Sequence, residues 1–203
     1  FLTGHHHPGP AWSSEIIYFL NQQRSLLALQ KAEKMKKQAF ADRYPYGIFS
    51  CIRTMGHIYK SRGNFDLSAQ YYQEALDYML KNMPDQDPSQ LYSSLAEYYR
   101  NTQKDYATAL DYCEKALKSA KTERNIAQAM IEKCLVLFRQ GRIDEFNDCY
   151  KEAVQMADRC KLSASVSLLI AHISKNILDK QYEQAHAHAD QLSEEGLQQH
   201  AYI

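Results

Sequence analysis

Two pairs of titratable residues sit at the spacing that brings side chains together on a helix. His186 and Asp190 lie four apart, as do Asp144 and Asp148, and residues four apart share one helical face. The first pair could serve acid–base chemistry or a metal, but no third ligand accompanies it and His188 falls on another face. Both pairs therefore read as solvated helix surface. His5, His6 and His7 can bind metal, yet they stand between Gly and Pro in the opening FLTGHHHPGPAWSS, which has the composition of a vector-derived tag. Five cysteines, Cys51, Cys113, Cys134, Cys149 and Cys160, make an odd number with no CxxC pair, which signals neither a disulfide framework nor a zinc site. They read as buried free thiols, four of them at helix positions where a small apolar residue would serve. No Gly-rich phosphate loop, HExxH or GxSxG is present. The sequence predicts no catalytic residue, no metal, no cofactor and no enzymatic activity.

Composition narrows the partner classes. Lys plus Arg and Asp plus Glu number 24 each, so no global field draws the chain to nucleic acid or to an anionic membrane surface. The apolar runs, such as Leu168 to Ala171, fall far short of the roughly 18 residues a membrane span needs. Neither partner class is expected for this region. The chain begins without Met, which leads us to expect that native segments precede or follow it.

Such side chains need elements to position them, and the punctuation of the sequence suggests what those are. Only seven Gly and five Pro occur in 203 residues, which suits long helices joined by short turns. From Ser14 to about Ala41 apolar residues recur at helical spacing, giving one long helix or two broken near Asn21 to Arg24, with Ser13 or Ser14 as cap. Tyr44-Pro45 ends this lead-in. A pair of helices follows, with Ile52, Met55, Gly56 and Tyr59 on one face of the first, a turn at Arg62-Gly63-Asn64, and Phe65, Ser68, Tyr72, Ala75 and Leu76 on the matching face of the second. Gly56 allows close approach of the partner helix, and Gly63 the positive φ of the turn.

That pair recurs. Leu91, Tyr92, Leu95, Ala96 and Tyr99 precede Tyr106, Ala109, Tyr112, Cys113, Ala116 and Leu117, with a turn one residue longer and without Gly. Met130, Cys134, Leu137 and Phe138 precede Ile143, Phe146, Tyr150, Ala153 and Val154. A degenerate copy sets Val166, Leu169, Ile170 and Ile173 before Tyr182, Ala185, Ala189 and Leu192. The hydrophobes that follow each turn are 41, 37 and 39 residues apart, and a repeat of this length points to stacked units sharing one continuous core. Residues 1–13 are assigned to the tag. The rest, 14–203, is expected to be one domain, with a lead-in at 14–43 and repeats at about 46–80, 88–120, 123–160 and 163–199.

Gly56, Tyr59, Gly63, Phe65, Tyr72 and Ala75 stand at the small and aromatic places of the tetratricopeptide repeat (TPR), which this stretch resembles; Ser68 replaces a usual Ala and Ile52 a usual Trp. The resemblance implies an all-α fold, a right-handed TPR-like superhelix of stacked antiparallel helix pairs with about nine to ten helices, used to bind a protein or peptide. It also implies a concave face lined by the first helix of each pair. By register, Arg53, His57 and Lys60, then Ser93, Glu97, Arg100 and Asn101, then Ile131, Leu135 and Arg139 would point there. Arg53, Lys60 and Arg100 would hold an acidic or carboxylate-bearing peptide, with Ile131 and Leu135 taking an apolar side chain. Glu97 stands where carboxylate-clamping members carry Asn, so that particular clamp is not expected. The long period, the YYxxAL second helices and the lead-in AEKMKKQAFADRYPYGIF are similar to repeat segments of bacterial sensor histidine kinases. That similarity implies a sensory region, periplasmic in such a kinase. A cytosolic peptide-responsive regulator is the alternative, and the last unit is a candidate cap or homodimer surface.

Overall fold

The computed structural model describes residues 25–162 and 165–201 of the chain. The expected tag, the expected caps at Ser13 and Ser14 and the first part of the lead-in lie outside them. Among the described residues there are nine α-helices and no strand: α1 (Ser25–Ala41), α2 (Pro45–Ser61), α3 (Phe65–Asn82), α4 (Ser89–Tyr98), α5 (Tyr106–Ser119), α6 (Glu123–Arg139), α7 (Ile143–Arg159), α8 (Val166–Leu178) and α9 (Tyr182–Ala201). They fall into two compact units that part at Pro84. The first contains α1 to α3, and the second α4 to α9.

The second helix of each pair begins on the hydrophobe that the period picked out: Phe65, Tyr106, Ile143 and Tyr182. Two residues before each, the chain turns through a left-handed residue, Gly63 (φ 73°), Lys104 (φ 57°), Gly141 (φ 73°) and Lys180 (φ 59°), and Arg43 (φ 50°) does the same before Pro45. Glycine takes this conformation freely, whereas a side chain there is strained by about 1–2 kcal/mol. Exchanging Lys180 for Gly removes that strain at an exposed site and is expected to stabilise the second unit by about 0.5–1 kcal/mol, net of the added freedom of the unfolded chain. Thermal and urea unfolding read this directly. A fall in stability would show that the Lys180 side chain contributes more than its backbone costs.

Polar caps fix the helix starts. Asn64, Asp105, Thr122 and Ser165 each accept a hydrogen bond from the amide three residues on, at the heads of α3, α5, α6 and α8, satisfying a donor that the helix leaves unpaired. In the second pair the extra residue is taken up by a π-helical segment, Tyr99–Gln103. Nine residues separate Gly56 from Phe65 and Cys134 from Ile143, but ten separate Ala96 from Tyr106, and the wide turn accommodates the difference.

Within the first unit α2 packs against both α1 and α3; within the second, α5 lies against α4 and α6, while α6 also meets α4, α7 and α8. The second-helix alanines Ala75, Ala116 and Ala153 are fully buried, as the stacking argument requires. Gly56 is a point of close approach, since a Cβ there would come within 2.7 Å of the Tyr72 ring. Four expected core residues are not core, among them Ala189, which is exposed. Phe65, Val166 and Tyr182 are about half exposed or more, because the first position of a helix lies at its rim, beyond the reach of the neighbouring helix.

The Pro84–Pro88 linker is held by its own carboxylate rather than by a cap on α4. Asp87 accepts the Ser89 amide at 2.9 Å, the Lys121 amide at 2.8 Å and the Asn125 side-chain amide at 2.8 Å, tying the entry to α4 to the α5–α6 turn. Burial alone would push the Asp87 carboxyl up, but these hydrogen bonds outweigh it and hold it below the usual carboxylate range.

Candidate partner-binding surface

On α2, residues spaced four and three apart place Arg53, His57 and Lys60 on one face, beside the stripe of Ile52, Met55, Gly56 and Ile58 that enters the core. Because Gly56 has no side chain, the Tyr72 ring seats against α2 and its hydroxyl reaches His57 Nδ1 at 3.0 Å. The two rings meet edge to face, 5.3 Å apart. The Arg53 guanidinium lies over the Phe49 ring, 5.3 Å from the centroid, a cation–π contact that anchors it. Its Nε is shielded from water and has no hydrogen-bond partner. Lys60 is half-buried and His57 exposed.

In the second unit the expected binding residues separate into two groups. Glu97 is half-buried, and Asn101 and Arg139 are exposed, so these remain available to a partner. Arg100, Ser93, Ile131 and Leu135 are buried, and the expectation that they line an open face is corrected. Arg100 donates from Nε to Glu132 Oε1 at 2.6 Å and from a second nitrogen to Glu132 Oε2 at 3.2 Å, while a third bond goes to Asn101 Oδ1 at 2.8 Å. This forked pair joins the π-helical segment to α6. Ile131 and Leu135 are covered because α6 packs against α4, α5, α7 and α8, so a face one turn away from the main packing stripe is still interior.

A third polar cluster was not anticipated. Tyr150 is hydrogen-bonded to His172 Nδ1 at 2.6 Å, His172 stacks on His188 with centroids 5.0 Å apart, and His188 Nδ1 meets the Asn176 amide at 3.0 Å. Burial, and then His188, lower the basicity of His172, against a smaller opposite pull from Asp158. His186 and Asp190 approach to 3.6 Å and are both exposed. Among the described residues no group of three or more His, Cys, Asp or Glu is placed to hold a metal ion, and no helix is long and apolar enough to cross a membrane.

Against known families, the model described as Tetratricopeptide repeat matches residues 49–122. Two crystal structures of the nearly identical TPR-like repeats of a Podosopora anserina kinesin light chain superpose with a TM-score of 0.62 each. The fold is TPR-like. One of the two, a form with a single substitution, is 11% identical to this chain and covers 90% of it and 92% of its own length. The other is 12% identical, over 93% and 95%. At that identity the likeness concerns the fold. No curated protein sequence matches the chain. TPR-like arrays are protein-interaction scaffolds, and the matched segment contains α3 to α5 whole, most of α2, and the Arg53, His57 and Lys60 face.

Proposed function

We propose that this chain is a non-catalytic peptide- or protein-binding scaffold, and that the α2 face anchors an acidic or carboxylate-bearing ligand at Arg53. The observation that supports this most is the half-buried Arg53 side chain, its guanidinium anchored beside the Phe49 ring on the face it shares with exposed His57. A guanidinium already anchored by a ring contact loses little freedom in meeting a carboxylate. His57 and Lys60 extend the same face. Glu97, Asn101 and Arg139 are the corresponding accessible residues of the second unit.

The test is selection of a displayed peptide library on the purified chain, followed by titration of the enriched peptides against Arg53→Glu. Acidic sequences should be enriched and their affinity should fall at least tenfold in the variant, with unchanged helicity. Enrichment of peptides indifferent to Arg53→Glu would move the site elsewhere. Arg100 is unsuited to such a test, because its substitution acts on the core.

The broader setting, the interaction region of a bacterial signalling protein of the sensor-kinase type, rests on the Tyr-rich second helices and the lead-in sequence. A transmembrane helix beyond Ile203 in the full gene product would support it. An N-terminal DNA-binding or phosphotransfer-regulating domain there would favour the peptide-responsive regulator instead.

A further inference from the structure

Two of the five thiols face each other. Cys134 on α6 is fully buried, Cys149 on α7 is half-buried, and their sulfurs stand 2.8 Å apart across the helix pair. Cys149 also lines a pocket of about 360 Å³ with Met130, Lys133, Glu145, Asp148 and Glu152, so one member of the pair is reachable from solvent and the other is not. Of the remaining cysteines, Cys51 and Cys113 are buried, and among the described residues no sulfur contact joins Cys160 to another thiol.

We propose that Cys149 and Cys134 form a reversible oxidation site, in which Cys149 is attacked through this pocket by a peroxide-class oxidant and Cys134 resolves the product to a disulfide joining α6 to α7. The roles follow from the surroundings. The hydrogen bond from Cys134 lowers the Cys149 thiol below its ordinary range, with Lys133 adding to the effect against the opposing influence of burial and of Glu152 and Glu114. Cys134 is held protonated by that same bond and by burial. The thiolate is the nucleophile in such chemistry. Cys149 sulfur attacks one peroxide oxygen, the O–O bond breaks, the departing oxygen leaves as water after taking up a proton, and Cys149 becomes a sulfenic acid. Cys134 sulfur then attacks the Cys149 sulfur, the S–O bond breaks, the Cys134 proton leaves with the hydroxyl as a second water, and the S–S bond forms. Two thiols are oxidised and one peroxide is reduced to two waters. Closure to a disulfide at about 2.05 Å needs less than an ångström of approach from the observed separation.

The experiment exposes the reduced, full chain to hydrogen peroxide at neutral pH, blocks remaining thiols by alkylation and maps the peptides by mass. Wild type should fall from five free thiols to three, with the cross-link at Cys134 and Cys149 within one chain, and dithiothreitol should reverse it. Cys160→Ser should retain the same cross-link. Cys134→Ala should form none, leaving a Cys149 sulfenic acid that dimedone captures. Retention of all five thiols in wild type, or a cross-link through Cys160 or between chains, overturns the proposal. The wild-type peptide map decides the matter even if Cys134→Ala does not fold.

Discussion

Glu132→Ala lowers the unfolding free energy by about 3–5 kcal/mol. The pair it breaks is interior: Arg100 is 4% exposed and Glu132 5%. Truncating the carboxylate leaves a guanidinium that cannot shed its charge, with the Asn101 side chain still bonded to it, in a place water does not reach. The loss is far greater than the pair's net worth, because a buried pair spends most of its attraction offsetting its own desolvation. Replacing both members with apolar residues of similar length, Arg100→Met with Glu132→Leu, should recover most of the stability. Urea denaturation of the single and double variants measures both values. A loss below about 1 kcal/mol for Glu132→Ala, the range of an exposed pair, would mean that water enters between the π-helical segment and α6.

Ala116→Phe is expected to destabilise the fold by about 1–3 kcal/mol through overpacking. Ala116 is fully buried on α5, and α5 is clasped between α4 and α6, so the ring has no rim toward which to escape. The neighbours must adopt poorer rotamers, or one helix must move outward. Either response lowers the melting temperature and leaves helicity in the folded state largely intact. An unchanged melting temperature would refute the register that equates Ala116 with Ala75 and Ala153.

The helix pairs were legible because their punctuation is local. Gly63 and Gly141 mark turns by a backbone conformation that other residues resist, and the hydrophobes two residues later head the second helices. Lys104 and Lys180 show the limit of that signal: the same left-handed turn forms without glycine when the helices on either side demand it. The caps at Asn64, Asp105, Thr122 and Ser165 were readable in principle, since each residue type accepts the free amide three positions on.

The binding face was less legible, because a helical register says which residues share a face and not how many neighbours that face has. On α2 the face with Arg53, His57 and Lys60 keeps accessible positions. On α6 the equivalent positions, Ile131 and Leu135, are enclosed. Arg100 misled for a further reason, since its partner Glu132 stands beside Lys133 and reads as ordinary charged surface until the fold brings α6 against the π-helical segment. Cys134 and Cys149, fifteen residues apart, lack any motif spacing and meet only because α6 and α7 run side by side.

The π-helical turn at Tyr99–Gln103 also makes the second pair tolerant of its own length. In an ordinary α-helix one added residue swings everything after it by about 100°, which would carry Tyr106 and the helix behind it out of alignment with α4 and α6. A wide turn absorbs that rotation where it arises. The azimuth at which α5 meets its neighbours then survives an insertion that no single side-chain exchange could have compensated.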